Sequence, residues 1–120
     1  MGIRTDIDSH VVTNTLEPGV TSEEVFLYAA AHIEDWEFKQ VVWDLSHFDF
    51  MSVDARTLRL FVERAAKMST KRKGRKTALV VQSEVGFGMM RMLQILAEDK
   101  VQFTFGVFRD LAEALRWVKE

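Results

Sequence analysis

The amino-acid sequence predicts a single α/β domain over residues 1–120, with a mixed, mostly parallel five-stranded sheet, an N-terminal antiparallel hairpin and four helices. Runs typical of buried strands alternate with helical periodicities in the order β-β-α-β-α-β-α-β-α, which is the order expected of right-handed crossovers on a parallel sheet. The chain is 48% apolar, has one proline and shows no repeat or linker, so a single core is expected.

The first elements are predicted to be a β-hairpin and a helix. Residues 3–8 and 11–17 have the composition of two short strands, and Pro18-Gly19 ends the second because neither residue continues a strand ladder. Thr21 precedes Glu24 by three residues, which is the spacing of a capping box, and an apolar run follows. The first helix is therefore expected to start there.

Two strand and helix pairs are predicted in the middle of the chain. Residues 39–45 and 77–81 each contain a continuous apolar run, which is typical of strands covered on both faces. Apolar residues recur at three- and four-residue steps over 53–68, and this periodicity indicates an amphipathic helix with Ser52 as its cap. A third helix is predicted over 87–98, with Gly86 and Gly88 at its start.

The last strand and helix are predicted from an alternating pattern and a cap. Apolar and polar residues alternate over 101–107, so this strand is expected to have two chemically different faces and to lie at an edge of the sheet. Asp110 then provides the cap of a fourth helix, whose last residues are 115–119.

Residues 44–55 read Asp-Leu-Ser-His-Phe-Asp-Phe-Met-Ser-Val-Asp-Ala. This segment resembles the signature of STAS domains, the sulfate-transporter and anti-sigma-factor-antagonist family, in which Asp-Ser-Ser/Thr-Gly follows a similar strand. In the bacterial antagonists the residue after that Asp is the phosphoacceptor. The corresponding positions here are Ser52, Val53, Asp54 and Ala55. Because valine has no hydroxyl group, the resemblance implies that the fold is kept and the phosphorylation switch is lost.

A second resemblance covers more of the chain. Residues 88–98 contain a Gly-x-x-Arg-Met helix, and residues 107–117 read Val-Phe-Arg-Asp-Leu-Ala-Glu-Ala-Leu-Arg-Trp. Together with residues 41–45, these motifs are similar to those of small, stand-alone STAS-like proteins of bacteria, a branch that shares its topology with CRAL-TRIO lipid-binding domains. The resemblance spans 41–117 and implies a binding role without naming the ligand.

Several classes of function are excluded or disfavoured by the residues present. The chain has no cysteine, so disulfide scaffolds, thiolate zinc sites, iron–sulfur clusters and cysteine nucleophiles are excluded. His10, His32 and His47 are too far apart in sequence to form a local metal motif. Asp44 follows a strand predicted to be parallel, and with Arg91 it forms the least favoured alternative, an enzyme site. We therefore predict no enzyme activity, no metal and no cofactor.

The third predicted helix has apolar residues in most directions, with Arg91, Gln94 and Glu98 forming its one polar stripe. A deeply buried core helix, a dimer or partner surface, and the wall of an apolar pocket shared with the first helix are three interpretations of this pattern. Gly86 and Gly88 lie at its start and weakly resemble a phosphate-binding loop, whereas a tight turn is the simpler interpretation.

The formal net charge of −2 is the sum of two opposed segments. Residues 1–50 carry ten acidic and two basic side chains, and residues 51–76 carry nine basic and two acidic ones, so copies of the chain are expected to attract each other. A solvated turn is the simplest interpretation of the basic run in the second segment, and contact with an anionic membrane or an acidic partner is the alternative. The run consists of Lys71, Arg72, Lys73, Arg75 and Lys76.

We predict a non-catalytic STAS-like binding or regulatory module that engages a protein partner or a lipophilic ligand through the third helix and the start of the second. The residues assigned to regulation or partner binding are Ser52, Asp54 and Arg56. Those assigned to the ligand or partner are Asp44, Phe87, Met89, Met90, Arg91 and Met92. Asp54 is hypothesised to imitate a phosphorylated residue by its fixed negative charge.

The predicted setting is a cytoplasmic homodimer that does not bind nucleic acid. No apolar stretch is long enough for a signal peptide or a membrane span. No aromatic residue interrupts the basic run 71–76, and the acidic first segment would repel a phosphate backbone. The competing prediction is a peripheral membrane or lipid-binding protein that uses an apolar pocket and the basic run.

Overall fold

The computed structural model describes residues 2–120, which form five strands and four α-helices in the predicted order. The strands are β1 (Ile3–Asp8), β2 (Val11–Leu16), β3 (Gln40–Asp44), β4 (Lys76–Val80) and β5 (Thr104–Phe108). The helices are α1 (Ser22–His32), α2 (Ala55–Met68), α3 (Glu84–Ala97) and α4 (Leu111–Lys119). Short 3-10 turns follow α1 at Ile33–Trp36, precede α2 at Phe50–Ser52 and follow α2 at Ser69–Arg72.

The five strands form one sheet in the order β1-β2-β3-β4-β5. The hairpin pair β1 and β2 is antiparallel, with Ile3 opposite Leu16, and every other neighbouring pair is parallel. Ser9 takes a left-handed conformation with φ 56°, which lets the chain reverse within two residues. The mixed sheet and the position of β5 at its edge confirm the predicted fold class.

The two faces of the sheet carry different numbers of helices. From β2 to β5 each strand is added on the same side of the one before it, so right-handed crossovers place α1, α2 and α3 on one face. Helix α4 follows the last strand and packs alone on the other face. Alternation along β3 therefore sends Val41 and Trp43 into the larger core and Val42 towards α4.

Two of the predicted helix caps are confirmed by hydrogen bonds. At the start of α1, the Glu24 amide donates to Thr21 Oγ1 at 3.2 Å and the Thr21 amide donates to Glu24 Oε1 at 2.8 Å. This reciprocal pair is a complete capping box. At the start of α4, the Ala112 amide donates to Asp110 Oδ1 at 2.8 Å.

The predicted cap of α2 is wrong by two residues. Ser52 belongs to the preceding 3-10 turn, where its Oγ donates to the Asp49 carbonyl at 2.8 Å. Val53 is extended and its side chain is buried in the larger core, so the helix cannot begin until the next residue. Asp54 is the cap instead, and its carboxylate accepts from the Thr57 amide at 2.8 Å.

The start of α3 was also predicted too late in the chain. Ser83 caps the helix by accepting from the Gly86 amide at 3.0 Å, so both Gly86 and Gly88 lie inside it. A Cβ atom on Gly86 would lie 2.5 Å from Val81 Cγ1 and 2.6 Å from the Phe50 ring. This glycine is needed for close approach of α3 to the core, and the tight-turn interpretation of the pair is wrong because both glycines are helical.

Candidate functional site

Helix α3 has apolar side chains on two opposite faces. Gly86, Met90, Leu93 and Ala97 recur at steps of four and three and face the core. A second set is exposed to solvent, and it consists of Val85 at 46%, Met92 at 54%, Ile95 at 64% and Leu96 at 43%. Of the three interpretations of this helix, that of a deeply buried core helix is therefore excluded.

The first turn of α3, which holds Val85 of this set, lies beside the segment that leads into α2. The 3-10 turn 50–52 contacts α3, with Phe50 buried against the first turn of that helix. The next residue, Met51, is 81% exposed. We call Met51 together with the exposed side chains of α3 (Val85, Met92, Ile95 and Leu96) the apolar stripe. Exposed apolar side chains grouped in this way are typical of interaction surfaces.

Asp54 lies on the same 50–54 segment and is exposed. Its Oδ1 accepts hydrogen bonds from the Thr57 amide at 2.8 Å and from Thr57 Oγ1 at 2.9 Å. These bonds, the backbone one first, hold the pKa of Asp54 below its ordinary value of 3.8. The carboxylate is therefore charged at neutral pH, and its stabilising effect is present above pH 3.8 and lost as pH falls through the lowered pKa.

A cavity of about 120 Å³ lies between the sheet and the three helices α1, α2 and α3 that cover one of its faces. Its walls are almost entirely aromatic and aliphatic. Both α1 and α3 contribute, through Phe26 and Ala29 from the first and Met90 and Leu93 from the second. The pair of apolar helices singled out in the sequence therefore borders one pocket, and of the predicted ligand residues only Met90 reaches it.

Arg72 differs from the rest of the basic run, because its side chain is directed into the protein. It is 3% exposed and lines the cavity, so it cannot serve the surface contact that the sequence assigned to it. One guanidinium nitrogen donates to Thr77 Oγ1, and the other terminal nitrogen donates to the Lys39 and Lys76 carbonyl oxygens at 3.0 Å each. The ring of Phe103 lies 5.2 Å from the guanidinium carbon.

The other basic side chains of the run are divided between solvent and the protein. Lys71 and Lys73 are exposed. Lys76 Nζ donates to the carbonyl oxygens of Trp117 at 2.9 Å and Glu120 at 3.2 Å, and the Arg75 guanidinium lies 5.8 Å from the Phe38 ring centre. Three of the five basic side chains in the run therefore contact the protein, and only those of Lys71 and Lys73 extend into solvent as a fully solvated turn would require.

The remaining candidate residues do not converge on one site. Asp44 accepts from the Ser46 amide at 3.1 Å and from Ser46 Oγ at 2.6 Å, which is a local turn. Arg91 is exposed on α3, and neither Asp44 nor Arg91 lines the cavity. Phe87 is half-buried with the Arg109 guanidinium 4.0 Å from its ring centre. Within residues 2–120, no three His, Asp or Glu side chains are placed to share a metal ion.

Met89 and Arg56 complete the predicted set. Met89 is half-buried and packs against the larger core, whereas Arg56 is exposed in the first turn of α2, near Asp54. Sequence reasoning missed the interior role of Arg72 and the cation at Arg64, whose guanidinium lies 4.7 Å from the Phe26 ring centre. No local signal separates a buried arginine from its exposed neighbours in a basic run.

No protein-family model and no curated protein matches the sequence. Solved structures do match the fold. The structure resembles the crystal structure of an anti-sigma factor antagonist from Mycobacterium paratuberculosis, with a TM-score of 0.64 and 18% identity over 98% of this chain and 93% of that one. It also resembles the NMR structure of the protein TM1081, with a TM-score of 0.58 and 18% identity over 97% of this chain and 87% of the other. The chain therefore has the STAS-like fold that the sequence predicted.

A helix that crosses a bilayer needs about 20 predominantly apolar residues. Within the described part of the chain, no helix combines the length and the apolar character of a membrane-spanning segment.

Proposed function

We propose that this protein is a non-catalytic regulatory module that binds a protein partner through α3 and the segment leading into α2. The observation that carries the proposal is the apolar stripe, because five apolar side chains between 43% and 81% exposed lie on adjoining segments. Covering such a surface removes apolar area from water and so favours association. One structure of similar fold is described as an anti-sigma factor antagonist, and that description supports a regulatory role for this chain as well.

The regulatory part of the proposal concerns Asp54. In the family that the sequence resembles, a phosphorylated side chain at the start of this helix decides whether a partner binds. Here Val53 at that position is buried, and Asp54 beside it is exposed and carries a permanent charge at neutral pH. We propose that this charge takes part in partner binding and that the module is not switched by phosphorylation at this position.

A quantitative pull-down with the tagged full chain tests the binding surface. The test variants Met92→Lys and Ile95→Lys place a charge in the apolar stripe. The matched control is Leu27→Lys on α1, which changes a side chain of similar exposure, 60%, outside the apolar stripe. We expect at least one protein to be captured by the wild type and by Leu27→Lys and to be lost from both stripe variants. Identical capture by all four proteins would contradict the proposal.

The same experiment separates the charge of Asp54 from its role as a cap. Asparagine is about as good an N-cap as aspartate, so Asp54→Asn keeps the helix start and removes the charge. We expect weaker or altered capture of the partner by Asp54→Asn than by the wild type. Unchanged capture would leave the apolar stripe as the binding surface and remove Asp54 from it.

A second copy of the chain is the other protein that could cover the apolar stripe. Native mass spectrometry of the wild type and of Ile95→Lys distinguishes this case, because a dimer formed through α3 would dissociate in the variant. We expect the variant to be monomeric if the predicted homodimer uses this surface. A dimer that persists in Ile95→Lys would place the contact elsewhere.

Contact with an anionic membrane is a second candidate function. It is favoured by Lys71 and Lys73, which are exposed in the 3-10 turn after α2 and the residue that follows it.

A further inference from the structure

Arg72 is a buried cation with no anionic partner among residues 2–120. Its side chain is 3% exposed, and the acceptors that bond its terminal nitrogens, one hydroxyl and two carbonyl oxygens, are all neutral. Its Nε is buried and has no hydrogen-bond partner in the described chain. Burial, with a smaller effect from Arg75, lowers the pKa of Arg72 to about 10, so the group is still protonated at neutral pH.

This unpaired charge lines the cavity described above. Two further polar side chains are found in its walls, those of Arg64 and Thr77, and no acidic residue is among them. Both charged groups at the cavity are therefore positive. A buried charge without a counter-charge is costly, and carboxylates and phosphates are the anions that a guanidinium binds most strongly. The electrostatics favour an anionic occupant.

The size and the walls of the cavity restrict what that occupant can be. An engineered protein cavity of about 150 Å³ binds benzene and stays dry when empty, and the present cavity of about 120 Å³ is similar in volume. Aromatic side chains such as Phe26, Trp36 and Phe103 surround it. The space suits one ring or a short hydrocarbon chain, and an anion with two charges would be much harder to bury there than one with a single charge.

Part of the cavity wall is formed by half-buried residues of α1 and α2. Ala29 from the first helix and Ala65 from the second both line the cavity and are half-buried, as is Arg64 of α2. Arg64, whose guanidinium lies 4.7 Å from the Phe26 ring centre, is the second cation at the cavity. That second cation would attract an anion towards the cavity before it reaches the buried Arg72.

We propose that the cavity is a binding site for a small monocarboxylate with an apolar body, aromatic or short-chain aliphatic. The body fills the space between the sheet and the helices, and the carboxylate pairs with the Arg72 guanidinium. This site does not rest on the proposed protein partner, because it lies in the interior whereas the apolar stripe lies on the outer face of α3.

Titration calorimetry and thermal unfolding of the full chain test this site with three pairs of probes. Each pair matches a carboxylate with its neutral amide: benzoate with benzamide, phenylacetate with phenylacetamide, and hexanoate with hexanamide. We expect at least one carboxylate to bind saturably and to raise Tm, with an affinity roughly tenfold to a hundredfold above that of its amide. Equal affinities within every pair, or no binding of any probe at millimolar concentration, would overturn the proposal.

Variants identify the side chain that binds the carboxylate group of the probe. Arg72→Gln should remove the preference for the carboxylate, and Arg59→Gln, which changes an exposed arginine of α2, should leave it intact. If Arg72→Gln does not fold, Ala65→Leu fills the cavity while keeping the arginine, and it should abolish binding of the carboxylate. A preference that persists in folded Arg72→Gln, or full binding by Ala65→Leu, would disprove the assignment.

Discussion

Gly86 and Gly88 are two residues apart in α3 but have opposite surroundings. A Cβ on Gly86 would approach Val81 Cγ1 and the Phe50 ring to within 2.7 Å, whereas a Cβ on Gly88 would meet no atom within 4 Å. The first glycine is required by the packing of the helix on the core. The second has no such requirement, and a glycine in a helix costs roughly 0.5–1 kcal/mol relative to alanine.

Alanine at each glycine therefore gives a matched pair of predictions with opposite signs. Gly86→Ala should destabilise the protein by about 1–3 kcal/mol, because the methyl group overpacks the core. Gly88→Ala should stabilise it by about 0.5–1 kcal/mol, since it removes only the conformational penalty of glycine. Urea unfolding measures both changes. A loss of stability in Gly88→Ala equal to that in Gly86→Ala would mean that the two positions are equally crowded.

At the scale of the element, α3 carries more apolar residues than its packing on the sheet requires. One face of the helix, with Met90, Leu93 and Ala97, is enough to cover its part of the sheet, and these three side chains are at most 4% exposed. The apolar residues on the opposite face add nothing to that core. The proposed partner surface accounts for their presence, because a surface helix with no partner normally carries polar residues there.

The two faces should respond differently to substitution. Leu93→Ala is expected to lower the free energy of unfolding by about 2–5 kcal/mol, because it removes a buried side chain and enlarges an existing cavity. Met92→Lys and Ile95→Lys are each expected to change it by no more than about 0.5 kcal/mol, as is usual for exposed positions. Urea unfolding of the three variants measures these changes in the free energy of unfolding. A large loss in Ile95→Lys would show that this face is covered within the molecule.

At the scale of the whole molecule, the segregated charges are brought together by the fold. The acidic segment 1–50 includes α1, and the basic segment 51–76 includes α2, and these two helices are in contact. The two segments of opposite charge are therefore neighbours within one copy. Within the basic run, the cations that remain free for a distant surface are those of Lys71 and Lys73.

Co-sedimentation with anionic vesicles tests the membrane candidate. Each basic residue near an anionic surface contributes about 1 kcal/mol, so two lysines should give weak binding at about 0.01 M salt and none at about 1 M, where charges are screened within 3 Å. The double variant Lys71→Gln/Lys73→Gln should lose this binding. The control Lys100→Gln/Lys119→Gln, which removes two exposed lysines elsewhere, should keep it. Absence of binding by the wild type at low salt would rule this function out.

Most of the fold could be predicted because its signals are local. The caps at Thr21 and Asp110 depend on residues within three positions, and the buried runs of β3 and β4 depend on five or six. The start of α2 could not be predicted in this way, because Ser52 and Asp54 are both good caps. The burial of Val53 between them, a contact with distant parts of the chain, decides in favour of the second.

The candidate site was predicted less completely than the fold. Met92 and Asp54 were identified from the sequence, and the structure places both on the surface near the start of α2 or along α3. Arg72 was predicted to be exposed with the rest of the basic run, whereas its side chain is buried. Its neighbours Lys71 and Lys73 have the same charge, so only the contact with Thr77 and the cavity distinguishes it.

The sequence by itself determined the class of fold, the order of the strands and helices, and the excess of apolar residues on α3. These features depend on periodicity and helix caps, which involve only residues close together in the chain. Only the tertiary structure decided which of those apolar residues remain exposed, that Gly86 is a packing contact, and that Arg72 lies beside an apolar cavity. These properties depend on surfaces brought together from distant parts of the chain, so the burial of a side chain is settled by what folds against it.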